Sequence, residues 1–316
     1  MAILRMPGIA NPEESLVNNW PELKYADWGE TARTLQLWTQ VIGKIRMVKS
    51  PPVNHWWHAT LYVTARGLGT SPMPEGFGSF AIDFDFVDHR LSIATSLGED
   101  RGFKLEPMTV ADFYTRVMAS LEELGVEAEI NTLPDEVENP IRFELDSSNG
   151  SYDAAAATRF WRALVDTSRV FSAFRSGFLG KASPIHYFWG AMDLATTRFS
   201  GREAPLHDPV PGVPLRVVRE AYSHEVWSAG FWPGGGGADA AFYAYAYPEP
   251  PGFAESVVAP PAAFYSRELR EFLLPYDSLR TSFDPDATLE EFLWTTYRKA
   301  ADLGGWDRIA LERHSG

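Results

Sequence analysis

"PVNHWWHATLYVTARGLG", residues 52–69, reads in register with "PIHYFWGAMDLATTRFSG", residues 184–201, at a constant offset of 132. Six of the eighteen columns are identical: Pro52/Pro184, Trp57/Trp189, Ala59/Ala191, Thr64/Thr196, Arg66/Arg198 and Gly69/Gly201. A second pair, "TVADFYTRVMASLEELG" (109–125) over "TLEEFLWTTYRKAADLG" (288–304), keeps Thr, Phe, Leu and Gly in register. The two matches occur in the same order in both halves, as tandem duplication produces. The alternative is a chance likeness between two halves that each contain a helix ending in Leu-Gly and a Thr-x-Arg strand.

Periodicity around these anchors predicts the elements of each half. Leu35, Trp38, Val41, Ile42 and Ile45 recur at helical spacing within 30–47, and Phe160, Leu164, Val165, Phe171 and Phe174 do so within 153–176, with Asp153 as N-cap. Each of these helices leads into Ser-Pro and a strand. "FAIDFDF" (80–86) alternates, with Phe80, Ile82, Phe84 and Phe86 on one face and Asp83 and Asp85 on the other, and "LSIAT" completes a hairpin with it. The helix of 109–125 closes at Gly125, a C′ residue. In "AFYAYAYPEPP", Phe242, Ala244 and Ala246 face one way and Tyr243, Tyr245 and Tyr247 the other. The polar, proline-interrupted "LPDEVENPIRFELDSSNGSYD" places a boundary near 150, giving halves of 1–150 and 151–316, the second enlarged by the Pro-rich "REAPLHDPVPGVP". The expected fold class is α+β: a tandem pseudo-symmetric repeat of antiparallel sheets covered by helices, with a cleft in the second half or at the junction.

Composition excludes several functions. With 45% hydrophobic and 22% charged residues, 316 residues suffice for a sizeable core. The chain has no cysteine, which removes disulfides, thiolate nucleophiles and cysteine-held metals. A net charge of -14 with no basic run opposes nucleic-acid binding. Neither "MAILRMPGIANPEES" nor any later run has the apolar length of a leader or membrane span, so the chain is read as cytoplasmic, with no membrane partner. Its oligomeric state is left open.

The stretches "SPPVNHWWH", "TARGLGTSP", "HYFWGAMDLATTRFSGR", "EAYSHEVWSAGFWPGGG", "FYAYAYPEPPGF" and "AADLGGWD" together resemble a bacterial family of this length known as a domain of unknown function. The likeness spans nearly the whole chain. It implies a protein that is conserved as one unit, and no activity, cofactor or catalytic residue comes with it.

Walker, Gly-x-Ser-x-Gly, Gly-x-Gly-x-x-Gly, His-Glu-x-x-His and EF-hand patterns are absent, and the four glycines 234–237 read as a hairpin connection. His186 takes the column of Asn54, and strand alternation would put it on one face with Met192 and Arg198. His224 and Tyr222 share a face, with Glu225 on the other. His186, His224, Tyr222 and Glu225 are thus candidates for acid–base chemistry, and His186, His224 and Glu225 for holding a divalent metal. The competing reading has both histidines satisfied by carbonyls in an aromatic core. Arg66 and Arg198 read either as an anion-binding pair on the twofold axis or as residues that each close a salt bridge or cap carbonyls within their own half. Asp193 intrudes on an apolar strand and needs a partner such as Arg198 or a metal. Tyr243 and Tyr245, with Trp232, would line a pocket for an aromatic or anionic metabolite. His55 and His58, read as facing opposite ways on a strand, and His89, His207 and His314, in turns, loops and tail, are set aside. The expected function is small-molecule binding, with or without catalysis; the alternative is a non-catalytic ligand-binding or assembly protein.

Overall fold

The computed structural model describes residues 20–210 and 213–313. His314 and the segment 1–15 lie outside the described residues. At the centre is α1 (Tyr25–Lys49), buried almost continuously from Thr34 to Arg46. A helix buried on every side must satisfy its polar side chains internally. Gln40 Nε2 donates to Asp135 O and Gln40 Oε1 accepts from Asp135 N, both at 2.9 Å. Lys44 Nζ donates to Leu133 O at 2.6 Å and pairs with the Asp135 carboxylate at 2.8 Å. These bonds clamp residues 133–135 of the long connection along α1.

The first sheet contains β1 (Tyr62–Val63), β2 (Gly67–Gly69), β3 (Met73–Glu75), β4 (Gly78–Asp85), β5 (Arg90–Thr95) and β6 (Asp100–Lys104). It runs β1-β2-β4-β5-β6, with β3 also on β4, and every pair is antiparallel. The expected alternation holds: Phe80, Ile82 and Phe84 are at most 1% exposed, each such burial contributing about 1.5–3 kcal/mol. They face α2 (Val110–Glu123), whose Thr109 N-cap accepts from Asp112 N at 3.1 Å. Phe113 of α2 stacks on Phe84 at 6.0 Å and on Trp38 of α1 at 4.7 Å, joining sheet and helices into one core.

The second half opens with α3 (Ala154–Ser176), capped by Asp153, which accepts from Ala155 N and Ala156 N. Its sheet contains β7 (His186–Phe188), β8 (Asp193–Glu203), β9 (His224–Trp232), β10 (Ala241–Tyr247), β11 (Phe264–Ser266) and β12 (Glu271–Pro275), with α4 (Leu215–Ala221) before β9. The order is β11-β12-β10-β9-β8-β7, antiparallel throughout. After it come α5 (Tyr276–Arg280), α6 (Pro285–Leu303) and α7 (Arg308–Leu311). Helices α3 and α6 cover one face, where Trp227 meets Phe174 at 5.4 Å and Tyr297 at 5.6 Å. The halves are joined by reciprocal bonds between Leu61 and Tyr187, at 3.0 and 2.8 Å. Among the described residues no helix is long and apolar enough to cross a membrane.

Two six-stranded antiparallel sheets, each flanked by helices, make an α+β fold consistent with a tandem pseudo-symmetric repeat. The repeat is inexact where it matters locally. Thr109 caps α2, but the aligned Thr288 lies inside α6, whose N-cap is Asp284. Gly125 has φ 68°, whereas Gly304 is right-handed and Gly305 takes the left-handed position at φ 63°. The strand expected around His55 and His58 is instead a 3₁₀ segment, Asn54–Ala59, with His55 and Trp56 both left-handed at φ 58° and 62°. Long-range bonds hold that turn: His55 N donates to Glu220 Oε1 at 3.1 Å and its Nδ1 meets Glu220 O at 3.0 Å.

The matching stretch 184–201 is a hairpin rather than one strand, turning at 189–192, with Met192 at φ 64°. Its register pairs His186 with Ala195, so His186 and Arg198 occupy opposite faces, correcting the shared face expected from simple alternation.

Candidate functional site

The face of the second sheet turned away from α3 and α6 presents Asp193, Ala195 and Thr197 of β8, Ser228 and Gly230 of β9, Tyr243 and Tyr245 of β10, and Glu271 and Leu273 of β12. Tyr243 lies opposite Gly230, and a β-carbon there would collide with its Cζ and hydroxyl, so the ring lies flat across β9 only because residue 230 is glycine. That approach delivers the hydroxyl to β8, where it donates to Asp193 Oδ2. Tyr245 lies opposite Ser228, and its hydroxyl shares a 3.0 Å hydrogen bond with that of Tyr222 at the end of α4.

A cavity of about 690 Å³ stands over this face, lined among others by Asp193, Trp232, Tyr243, Tyr245, Phe264 and Glu271. A smaller chamber of about 250 Å³ shares Asp193, Tyr222, Tyr243 and Tyr245 with it and adds His55, Trp57, Glu136 and His186. The left-handed pair His55 and Trp56 thus helps wall the inner chamber. Consecutive non-glycine residues in that region cost of order 1–3 kcal/mol each, and such strain concentrates at working sites.

Electrostatics follow from burial. Asp193 is pushed up to about 6, against the hydrogen bond from Tyr243 that lowers it. Glu271 is raised to about 7, first by burial and then by Asp193. Glu136 is also raised to about 7, by burial, Asp193 and Asp135. The residue is exposed at the rim, but its carboxylate lies over the Gly190 backbone, where a β-carbon would strike it. Burial, with Arg46 nearby, drives His186 down to about 3, so its ring is neutral. Thr60 Oγ1 lies 3.1 Å from Trp57 O and 3.4 Å from His186 Nδ1. Among the described residues His186 Nε2 is buried without a hydrogen-bond partner.

Tyr222, Asp193, Tyr243, Tyr245 and Trp232 therefore converge on the cavity, and His186 on the chamber behind it. The other expected residues do not. His224 is half-buried outside these linings, its Nδ1 3.0 Å from Ser223 Oγ. Glu225 accepts from Ser200 Oγ at 2.8 Å and Arg202 Nε at 2.9 Å. Among the described residues no group of three or more His, Asp or Glu is placed to hold a metal, so His186, His224 and Glu225 do not form the expected set.

The two arginines take the second of their two readings, each held within its own half. Arg66 sits on the surface, bonded to Asp85 at 2.5 Å and Asp88 at 2.6 Å. Arg198 is 1% exposed on the opposite sheet face, with Phe174 O as its acceptor at 2.5 Å. Asp193 finds Tyr243 as partner instead of Arg198. Arg66→Ala is expected to leave the unfolding midpoint and any ligand-induced shift of it essentially unchanged, because solvent screens exposed pairs. A change comparable to that of a core truncation, measured by thermal unfolding, would refute that placement.

Residues 20–313 match a family of unknown function, DUF5996. The chain belongs to that family. No curated protein matches it, and no solved structure does. In this DUF5996 chain, sequence reasoning missed Glu136 and Glu271. Glu271 was within reach, since "EFLLP" alternates and pairing it with β10 puts Glu271 beside the tyrosine face. Glu136 carried no local signal: it reaches the chamber because Gln40 and Lys44 clamp the connection just before it.

Proposed function

We propose that this protein binds a small molecule in the cavity over the second sheet, with Asp193 and Glu271 able to exchange protons with it. The observation that supports this most is one concave space joining aromatic walls to carboxyls whose affinity for protons lies near neutrality. Groups that titrate close to the working pH serve as both acid and base. Trp232, Tyr245 and Phe264 supply flat apolar surface, and Asp193 with Tyr243 supplies direction.

The test is a metabolite screen by thermal unfolding on the full chain, repeated on Trp232→Ala and Asp193→Asn. A compound that raises the midpoint of the native chain and loses at least most of that rise in both variants supports the reading. Equal shifts in all three proteins would place binding elsewhere. Consumption of the bound compound by the native chain but not by Asp193→Asn would extend binding to catalysis.

A further inference from the structure

We infer that the ligand of this cavity is a protonated amine carrying N–H donors, an inference that rests on the cavity being a binding site. The linings of the cavity and inner chamber hold Asp193, Asp239, Glu271 and Glu136, and among the described residues neither contains a lysine or arginine. Two cations stand behind the chamber wall, Arg46 near His186 and Lys181, and neither is among the charges that act on Asp193, Glu271 or Glu136. Lys181 Nζ lies 2.7 Å from His55 Nε2, over the Trp57 and Phe199 rings, and Arg270, in the adjoining cavity, is 3.8 Å from Glu249. Carboxylates crowded in a half-buried space without a counter-ion oppose one another's ionisation, and a bound cation relieves that cost.

The walls suit the same charge. Tyr243 and Tyr245 stand parallel, ring centroids 6.2 Å apart and planes 21° from each other, with Trp232 on the same lining. The faces of such rings attract ammonium groups.

His186 supplies an independent indication. It is 1% exposed, and among the described residues its Nε2 has no hydrogen-bond partner. A buried ring nitrogen left alone is costly, and in its acceptor form a donor relieves it. His186 pairs with Ala195, two residues from Asp193 on the same face of β8, roughly 7 Å along the strand. A donor-bearing ligand spanning that distance satisfies both residues. A quaternary ammonium or an anion satisfies neither arrangement in full.

The experiment is calorimetric titration of the full chain at pH 8 with matched probes: 2-phenylethylamine, its N,N,N-trimethyl analogue, 2-phenylethanol and 3-phenylpropanoate. The amine is expected to bind at least about tenfold more tightly than the other three, and to lose about tenfold or more in Asp193→Asn and in Glu271→Gln, both checked for folding by circular dichroism. If the alcohol or carboxylate binds as tightly as the amine, or both variants keep full amine affinity, the amine inference fails while the cavity reading stands. Tight binding of the trimethyl analogue would overturn the role given to His186. If none of the four binds, the cavity reading falls together with the inference.

Discussion

Arg198→Ala is expected to lose about 3–5 kcal/mol of stability, the cost of emptying a large, closely packed buried volume. The guanidinium lies 3.5 Å from the Phe174 ring centroid, 4.3 Å from that of Tyr297 and 4.9 Å from those of Trp294 and Phe178. Its Nη2 donates to the Phe174 carbonyl, in the last turn of α3, where a cation also complements the helix dipole. Alanine would leave four aromatic rings around an empty volume. Lysine would not rescue, because it lacks the planar fork that stacks between rings. Methionine is expected to come close to the native chain: burial already drives the guanidinium down to about 10, and Nε and Nη1 have no acceptor, so a volume-matched neutral side chain sheds that penalty. Urea unfolding of the three variants measures this directly. A loss under about 1 kcal/mol for alanine would mean that the ring cage is not close-packed around Arg198.

The double variant Asp193→Asn/Glu271→Gln is expected to be more stable than the native chain at pH 8 while losing ligand binding. Both carboxyls bind protons more tightly when folded, at about 6 and about 7, than in the unfolded chain, at 3.8 and 4.5. Their contribution is therefore fully present below the unfolded values and is lost as pH rises through the folded ones. At pH 8 both are ionised in a space that disfavours charge, and neutral amides remove that cost, roughly 1–3 kcal/mol for each residue. The pair gains less than the sum, because Asp193 itself raises Glu271. Asparagine can still accept from Tyr243. At pH 4 the advantage should vanish. His186 acts in the opposite sense: lowered from 6.5 to about 3, it contributes stability that is present above 6.5 and lost as pH falls toward 3. Urea midpoints at pH 4, 6 and 8 for native and double variant separate these effects. A double variant less stable than the native chain at pH 8 would show that the carboxylates are held by favourable partners, and the case for an unfilled cation site would go with it. Stability gained as function is lost is the usual signature of groups kept for a task.

Much of the architecture was legible in the chain because it depends on neighbours in sequence. Asp153 and Thr109 cap helices through bonds two or three residues away. Gly125 takes a left-handed turn, and the Phe/Tyr alternation of β10 separates two faces whatever surrounds them. The alternation of β10 placed Tyr243 and Tyr245 on one face, whereas the arrival of Asp193 beside them depends on the pairing of β8 with β9. Pleat parity states which residues share a face within one strand; it does not state which face the helices will cover, nor what happens across a turn. His186 and Arg198 are an even number of residues apart, yet the hairpin pairs residue 186 with residue 195 and sends their side chains to opposite sides. That single register decision moved Arg198 from candidate ligand to buried aromatic cage and left Asp193 to Tyr243. The left-handed turn at His55, the flat lie of Tyr243 over Gly230 and the delivery of Glu136 by α1 all depend on partners remote in sequence. Local chemistry determined the elements and their faces, whereas the choice of covered face and the convergence of carboxyls were decided by tertiary packing, because burial is a property of what arrives from elsewhere in the chain.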